Sequence, residues 1–200
     1  IGFVGGPATL LKYALGKKNK IFLNKDSFQI DFLRNILVPL LEKNIQLQLD
    51  AGAEIVMIFD SSVNEVETKD FIDSYLEILR NISNLFKNKL GYYAKGINVN
   101  LYEYLSKLNF AGMGCDSSIN ISSLLTKNTR GFIQGNFSEE KMLLNKIQLR
   151  DELLKYCDSL LQINETQRAG WICGLGHGIK KETPEENVHL FIETIRNNFK

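Results

Sequence analysis

Short apolar runs alternate with longer amphipathic stretches along the whole chain. Runs of this kind, bounded by glycine and polar residues, are typical of strands that are buried on both faces of a parallel sheet. Six such runs predict strands at 1–5, 54–59, 90–94, 111–115, 131–134 and 170–174. The stretches between them repeat their apolar residues at i, i+3 and i+4, which predicts helices that pack one face on the sheet.

Two of these helical patterns predict particular core side chains. The stripe predicted to be buried at 68–88 consists of Phe71, Tyr75, Ile78, Leu79, Ile82, Leu85 and Phe86. The stripe predicted to be buried at 139–162 consists of Leu143, Ile147, Leu154, Cys157 and Leu161. Two helix boundaries are also predicted. Gly52 ends a helix before the second strand, and Thr183 caps a helix that begins at Pro184, with Glu186 completing a capping box.

The order of elements predicts an α/β fold. Strands that alternate with helices over connections this short are parallel and are joined by right-handed crossovers. Six strands of this kind form either an open, doubly wound sheet or part of a closed barrel, and periodicity does not separate the two. The chain contains no internal repeat, low-complexity tract or flexible linker, so we expect residues 1–200 to form one domain.

Polar and glycine-rich residues directly follow all six predicted strands. These segments are Gly5-Gly6-Pro7, Asp60-Ser61-Ser62, Lys95-Gly96, Asp116-Ser117, Gln134-Gly135-Asn136 and Gly176-His177-Gly178. The carboxyl ends of parallel strands meet at one edge, where α/β folds bind ligands. Because an open sheet uses one or two such loops at a switch point, recurrence on every strand favours a barrel.

Three residues near these ends are candidates for the site. His177 lies between two glycines, which let the backbone pass close to a ligand or adopt positive φ, so we favour a site residue over a loop histidine bonded to a carbonyl. Ser61 follows a strand end and either donates to a substrate carboxylate or caps a helix; a serine-hydrolase motif is absent. Periodicity alone places Tyr13 in the core.

Composition and charge exclude several classes of function. The 24 basic and 23 acidic residues leave a net charge of +1, so nucleic acid and anionic membrane are poor default partners. The three cysteines are widely spaced and form no zinc-binding or disulfide pattern, which favours a reducing compartment. No apolar run approaches the roughly 20 residues of a spanning helix. Metal-binding and dinucleotide-binding fingerprints are absent as well.

Six ordered motifs resemble those of the uroporphyrinogen decarboxylase family. The stretch 2–10 followed by Tyr13 is similar to the family's GFxGAPWTLxxY, and 51–61 is similar to its AGAxxxQIFDS strand. Tyr93-Ala94-Lys95-Gly96 looks like the end of the next strand, and 114–116 stands where the family has GLDW. The segments 134–136, 175–179 and 183–188 match QGN, LGHGI and TPEENV.

The resemblance implies a (β/α)₈ TIM barrel of which this chain covers about six strands, the third to the eighth. It implies a cytoplasmic enzyme of heme biosynthesis that converts uroporphyrinogen III to coproporphyrinogen III without metal or organic cofactor. Tyr13, Ser61 and His177 match the family's substrate-binding tyrosine, serine and histidine. Its catalytic arginine and aspartate have no counterpart here, so we expect them upstream of Ile1, which already lies in an apolar run. Family members are often dimers, which suggests a homodimer.

Three departures from the family pattern leave alternatives open. Ala8 and Ser117 replace tryptophans and Gly174 replaces an asparagine, so we expect an enlarged or reshaped pocket. One alternative is a non-catalytic or divergent paralogue that binds a tetrapyrrole or a protein partner. The other is a zinc-dependent methyltransferase of the same superfamily, although the strand end at 93–96 lacks the H-x-C pair of those enzymes.

Overall fold

The structure, a computed structural model, describes residues 1–16, 18–96, 99–127 and 131–199. The chain divides into two compact units, Ile1–Met113 and Gly114–Lys200. Each unit is built from strands and helices in alternation, as the apolar pattern predicts. The single domain expected from the sequence stays a prediction.

The first unit contains three complete strands and the beginning of a fourth. Its elements in chain order are β1 (Gly2–Gly5), α1 (Pro7–Leu15), α2 (Phe28–Phe32), α3 (Val38–Asp50), β2 (Val56–Asp60), α4 (Thr68–Asp70), α5 (Leu76–Leu85), β3 (Leu90–Ala94) and α6 (Val99–Ser106). Two π-helical segments, Leu33–Leu37 and Phe71–Tyr75, join α2 to α3 and α4 to α5, and a 3₁₀ turn occupies Val63–Glu65.

The second unit continues the alternation. Its elements are the end of β4 (Gly112–Cys115), then α7 (Ile121–Lys127), β5 (Phe132–Gln134), a 3₁₀ turn (Lys141–Leu143), α8 (Lys146–Leu161), α9 (Glu165–Arg168), β6 (Trp171–Ile172) and α10 (Glu185–Asn198). Among the described residues, no helix combines the length and apolar character that crossing a membrane requires.

The strands confirm the predicted α/β class. They follow one another in the sheet in chain order, from β1 to β6. The pairs β1–β2, β2–β3 and β5–β6 are parallel. A doubly wound sheet reverses its strand order at a switch point, whereas a (β/α)₈ barrel keeps chain order. The observed order therefore fits six strands of such a barrel.

The core of the first unit confirms most of the predicted stripe. Six of its seven residues are buried on the helical stretch 68–86, which spans α4, the π-segment and α5. Leu85 is the exception, with 61% of its surface exposed, because it lies in the last turn of α5. Tyr75 is fully buried, and its hydroxyl group therefore needs a partner.

The stripe predicted in the second unit is wrong. Helix α8 begins at Lys146, and a 3₁₀ turn precedes it, so the count from 139 crosses a break and loses the phase of the helix. Ile147 is 77% exposed, whereas the buried residues of α8 are Leu149, Leu153, Cys157 and Leu160. Cys157 alone was assigned correctly.

The structure confirms one of the two predicted helix boundaries and shifts the other by one residue. Gly52 follows the end of α3 with φ +101°, a conformation that suits glycine, so its role as a helix stop is confirmed. The start of α10 was placed one residue early. Pro184 rather than Thr183 is the N-cap, no side chain bonds to the cap, and the Thr183 hydroxyl is buried without a partner among the described residues.

Gln48 covers part of the outer edge of β1. Its side-chain amide accepts a hydrogen bond from the backbone N–H of Phe3 at 2.9 Å and donates one to the carbonyl of Phe3 at 3.0 Å. These are the two backbone groups that β1 directs away from β2, since Gly2 donates to Ile55 on the other side. A side chain thus satisfies backbone groups that a neighbouring strand would otherwise pair.

Candidate functional site

The register of the first three strands brings their carboxyl ends to one edge. Gly5 pairs with Phe59, and Phe59 pairs with Tyr93. The segments that follow β1 and β2 carry Gly6 and Ser61, so the first unit delivers two predicted strand-end segments to the same place. This placement confirms the reasoning from parallel strands within this unit.

Asp60, the last residue of β2, is completely buried among hydrogen-bond donors. Its Oδ1 accepts from the backbone N–H of Thr9 at 2.9 Å and from the Thr9 hydroxyl at 3.0 Å. Its Oδ2 accepts from the Tyr92 hydroxyl at 2.7 Å and from the Tyr75 hydroxyl. The Tyr75 oxygen in turn accepts from the backbone N–H of Ala8 at 2.9 Å. These residues, Asp60, Thr9, Tyr75, Tyr92 and the backbone of Ala8, are called the Asp60 network. The network connects β2, β3 and the π-helical segment Phe71–Tyr75 to the beginning of α1.

Burial dominates the electrostatics of the Asp60 network. It raises the pKa of Asp60 above its usual value, and the hydrogen bonds donated by the two tyrosines and Thr9 oppose that rise. The pKa values of Tyr75 and Tyr92 are raised well above the usual 10.0, first by burial and then by the charge of Asp60. Both phenols therefore keep their protons and act as donors to the carboxylate.

Gly6 is required by the Asp60 network. A Cβ atom on Gly6 would lie 2.4 Å from the Cβ of Asp60, closer than side-chain atoms approach. The missing side chain lets the turn between β1 and α1 pack directly on the end of β2. The glycine that follows β1 thus serves packing within the protein.

Ser61 comes directly after this buried aspartate and is partly exposed. Its hydroxyl makes no hydrogen bond to the part of the chain that the structure describes. The neighbouring Ser62 is the N-cap of the short 3₁₀ turn and makes no side-chain cap bond. The helix-cap interpretation of Ser61 is therefore wrong, and its hydroxyl is available to a ligand.

Tyr13 lies on α1, and 62% of its surface is exposed. The core position that periodicity favoured is therefore wrong. Two contacts fix α1 against the Ser61 segment. The Thr9 hydroxyl accepts a hydrogen bond from the backbone N–H of Ser62 at 3.2 Å. One turn further along, Lys12 pairs with Glu65 and donates to the carbonyl of Asn19 at 2.8 Å.

An aromatic row lies on the face of the sheet opposite the Asp60 network. The Phe3 and Phe59 ring centroids are 6.3 Å apart, and the Phe59 and Tyr93 centroids are 5.8 Å apart. Phe59 remains 39% exposed and Phe3 is more exposed still. The carboxyl end of β2 therefore directs an aromatic ring to one face and a buried carboxylate to the other.

His177 is exposed in the second unit, just beyond β6. The N–H of the preceding Gly176 donates to the carbonyl of Phe137 at 2.7 Å, and a Cβ on Gly176 would lie 2.5 Å from the backbone nitrogen of Ser117. Gly176 thus serves close packing, and neither it nor Gly178 adopts positive φ, contrary to the conformational argument from sequence. These backbone contacts of Gly176 hold the beginning of the loop that carries His177 in place.

The end of β5 is anchored by Tyr156. Its hydroxyl donates to the carbonyl of Gly135 at 2.8 Å and accepts from the N–H of Asn136 at 2.9 Å. Asn136 in turn donates to the carbonyls of Asp116 and Ile119 at 2.7 and 2.6 Å. The polar residues after β4 and β5 therefore bind mainly to one another.

The three departures from the family pattern lie in different surroundings. Ala8 is fully buried, so its small side chain opens no pocket. Ser117, by contrast, lines a cavity of about 520 Å³. A Cβ on Gly174 would come no closer than 3.7 Å to Gln134, so the structure does not require glycine there. Whether Ser117 enlarges the substrate pocket stays a prediction.

The structure also defines the surroundings of two lysines and of possible metal ligands. Of the lysines near the strand ends, Lys12 and Lys180 form ion pairs with Glu65 and Glu140. Within the described ranges, no group of three or more His, Cys, Asp or Glu side chains is arranged to hold a metal ion.

The Asp60 network is the part of the site that sequence reasoning missed. Asp60 was grouped with polar residues that follow a strand, and Tyr75 was counted as an apolar core residue. A signal was present, because Val56, Ile58 and Asp60 alternate onto one face of a buried strand. A carboxylate on such a face requires donors, and buried tyrosines supply them.

Comparisons with known proteins cover nearly the whole chain. Curated uroporphyrinogen decarboxylases from Orientia tsutsugamushi (strain Ikeda) and Rickettsia bellii (strain RML369-C) are 29% and 30% identical to it. Each alignment covers 98% of this chain and 60% or 59% of the relative, so the chain spans about three-fifths of the length of these relatives.

A solved structure of a methyltransferase from Methanosarcina mazei shares the fold, with a TM-score of 0.76 at 18% identity. The structural alignment covers 100% of this chain and 58% of the methyltransferase chain. The family model for uroporphyrinogen decarboxylase (URO-D) matches residues 1–198. With the motifs in order along both units, the chain belongs to the uroporphyrinogen decarboxylase family.

Proposed function

We propose that this chain supplies the substrate-binding part of a uroporphyrinogen decarboxylase, which removes carbon dioxide from the four acetate groups of uroporphyrinogen III to give coproporphyrinogen III. Tyr13, Ser61 and His177 bind and orient the substrate's carboxylates. The enzyme acts in the cytoplasm as a homodimer, without metal or organic cofactor. The chain covers about three-fifths of its relatives, and we assign the proton donor to none of its residues.

The observation that carries this proposal is the way the first unit holds α1 against the end of β2. The Asp60 network, the Thr9–Ser62 hydrogen bond and the Lys12–Glu65 pair all join these two elements. Two motif residues of the family, Tyr13 and Ser61, stand on the joined elements with their side chains at least partly exposed. Rigid support of this kind reduces the cost of ordering a binding site.

The chemistry of decarboxylation explains what these residues must do. Breaking the bond to the departing carboxylate leaves an electron pair, which a protonated pyrrole ring accepts. The protein must hold the acetate so that this bond aligns with the ring, and it must keep the other carboxylates solvated or hydrogen-bonded. Hydroxyl groups and an imidazole donate to carboxylates, so Tyr13, Ser61 and His177 suit this positioning role.

The aromatic row supports a substrate with flat rings. Phe59 is 39% exposed on the face of the sheet opposite Asp60, and its ring centroid lies 5.8 Å from that of Tyr93. Pyrrole rings pack favourably on aromatic side chains. An aromatic row at the strand end that Ser61 follows is compatible with a ligand that has pyrrole rings and a carboxylate periphery.

The test is conversion of uroporphyrinogen by the natural protein that contains this chain. We expect coproporphyrinogen to accumulate, measured by chromatography after oxidation to the porphyrins. His177→Asn should lower kcat/KM by roughly ten- to a hundredfold, the value of a hydrogen bond to a charged group. His189→Asn is the matched control, because His189 is exposed on α10 and pairs with Glu185 at 3.6 Å, so its kinetics should equal those of the wild type.

Two outcomes would contradict the proposal. Uroporphyrinogen that binds without any loss of carbon dioxide would favour the non-catalytic alternative. Equal kinetics for the wild type and His177→Asn would remove His177 from the site. Folding of each variant is checked by its thermal midpoint, since an exposed side chain contributes little to stability.

A further inference from the structure

The second unit contains a cavity whose lining includes none of the three proposed substrate-binding residues. It has a volume of about 520 Å³ and lies between α7 and α8, with the segments after β4 and β5 closing one side. The Ser122 hydroxyl bridges the two helices by donating to the carbonyl of Ser159 at 3.1 Å. Cavities of about 300–1,000 Å³ are the usual size of small-molecule sites.

The charged residues that line the cavity carry a net positive charge. Lys141 and Lys155 both contact Glu152, Lys155 at 2.7 Å. The two lysines lower the pKa of Glu152 to about 2, so this carboxylate stays ionised. Two ammonium groups and one carboxylate leave one positive charge. Each ammonium group has three N–H donors, so the shared carboxylate leaves donors of both lysines unused.

Two serine side chains in the same lining add further donors. Ser117 and Ser138 line the cavity, and neither hydroxyl makes a hydrogen bond within the ranges that the structure describes. Hydroxyl and ammonium donors that converge on one space are typical of sites for carboxylate or phosphate groups. The cavity therefore favours an anion over a neutral or cationic ligand.

One acceptor at the cavity wall remains unpaired. Asn136 is 5% exposed, and its Nδ2 is held by the carbonyls of Asp116 and Ile119. These two bonds fix the orientation of the amide. Its Oδ1 accepts no hydrogen bond from the described part of the chain. A ligand that fills the cavity should therefore offer a donor to this oxygen as well as an anionic group to the lysines.

We propose that this cavity is a binding site for a small polyvalent anion, a carboxylate or a phosphate, that also carries a hydroxyl group. Lys141 and Lys155 bind the anionic groups, Ser117 and Ser138 donate to them, and the Oδ1 of Asn136 accepts from the ligand's hydroxyl. The residues that line this cavity include none of Tyr13, Ser61 and His177, and the proposal does not depend on the decarboxylase proposal.

Isothermal titration calorimetry of the full chain tests the site with four probes: citrate, tricarballylate, inorganic phosphate and glycerol. Tricarballylate is citrate without its hydroxyl, so citrate should bind about three- to tenfold more tightly if Asn136 accepts a hydrogen bond from it. Glycerol has hydroxyl groups without charge and should give no heat. Comparison of citrate with phosphate identifies the anion that the site prefers.

Three variants test whether the measured heat comes from binding in this cavity. Lys155→Gln should weaken binding of the preferred anion by about tenfold, because a charged donor is lost. Glu152→Gln should strengthen it about threefold or more, because a competing negative charge is removed. Lys146→Gln is the matched control on the same helix outside the cavity, and its affinity should stay within about twofold of the wild type.

Two results would overturn the proposal. The first is the absence of heat with both citrate and phosphate at millimolar concentrations. The second is equal affinity in Lys155→Gln, Glu152→Gln and Lys146→Gln, which would place the anion elsewhere on the protein. Since all three lysine and glutamate side chains are at least partly exposed, these variants should fold normally, and circular dichroism checks this.

Discussion

Tyr75→Phe tests the Asp60 network by removing one oxygen atom. The Tyr75 hydroxyl is fully buried, donates to the Asp60 carboxylate and accepts from the backbone N–H of Ala8. The variant keeps the aromatic ring and its contact with Phe71 at 5.7 Å between centroids. The change therefore removes the hydrogen bonds of this hydroxyl, including its contact with Tyr92, and leaves the ring packing in place.

The expected cost follows from the two groups that lose a partner. A hydrogen bond to a charged group contributes about 1.5–3 kcal/mol, and a buried N–H left without an acceptor costs about 1–3 kcal/mol. Together they predict a loss of about 2.5–6 kcal/mol in the free energy of unfolding. Native domains have about 5–15 kcal/mol in total, so the variant should be severely destabilised.

Two matched tyrosines make this prediction specific. Tyr92→Phe loses its 2.7 Å hydrogen bond to Asp60 and its contact with the Tyr75 hydroxyl, and it should lower the free energy of unfolding by about 1.5–3 kcal/mol. Tyr104 is 40% exposed, and Tyr104→Phe should change stability by less than about 0.5 kcal/mol. Urea unfolding followed by circular dichroism measures all three. A cost for Tyr75→Phe below about 1 kcal/mol, or equal to that of Tyr104→Phe, would refute the role given to the network.

Three further predictions concern other parts of the chain. Gly6→Ala should lower the free energy of unfolding by about 1–3 kcal/mol, because its Cβ would overlap Asp60. Gly178→Ala is the control: no atom lies within 4 Å of its new Cβ, so the same urea assay should show almost no change in stability. Because the pKa of Glu152 is lowered from 4.5 to about 2, its stabilising effect is full above pH 4.5 and is lost as the pH falls through about 2. The stability difference between the wild type and Glu152→Gln should therefore shrink over that range, from a plateau under about 1 kcal/mol for an exposed pair; a difference independent of pH would contradict the pairing. Burial raises the pKa of the Cys115 thiol to about 12 and that of the Cys157 thiol to about 11, so a thiol reagent at pH 8 should label these two buried cysteines only after unfolding. Rapid labelling of either one in the folded protein would show its burial to be wrong.

The strands were the most predictable part of the fold. All six lie within two residues of their predicted starts, and most ends agree as closely. Strands buried on both faces form continuous apolar runs, and glycine or polar residues mark their ends. The last strand was predicted longer than it is, although hydrogen bonds between the segments of Phe137 and Gly174 continue the pairing beyond β6.

Helix phase was predictable only where the helical stretch is continuous. At 68–86 the turns follow one another without a break, and the predicted stripe is buried. At 139–161 the chain leaves the helical path at Leu144, where ψ is 158°, before α8 begins. A stripe counted across that residue loses its phase, which explains why Ile147 was assigned to the core.

The candidate site was only partly predictable, because a residue type does not reveal which face of an element it occupies. Ser61 and Asp60 are neighbours in one polar segment, yet one is partly exposed and the other is fully buried. Tyr13 and Tyr75 are both tyrosines in helical patterns, and their exposure is opposite. Family motifs identified Tyr13, whereas the roles of Tyr75 and Gly6 required coordinates.

A crystal structure of the natural protein with coproporphyrinogen bound would test the central claim most directly. The account predicts that the Tyr13 hydroxyl, the Ser61 hydroxyl and the His177 imidazole each lie at hydrogen-bond distance, about 2.7–3.2 Å, from carboxylate oxygens of one ligand. A ligand that contacts none of these side chains, or that contacts Tyr13 and Ser61 while His177 faces solvent elsewhere, would contradict it.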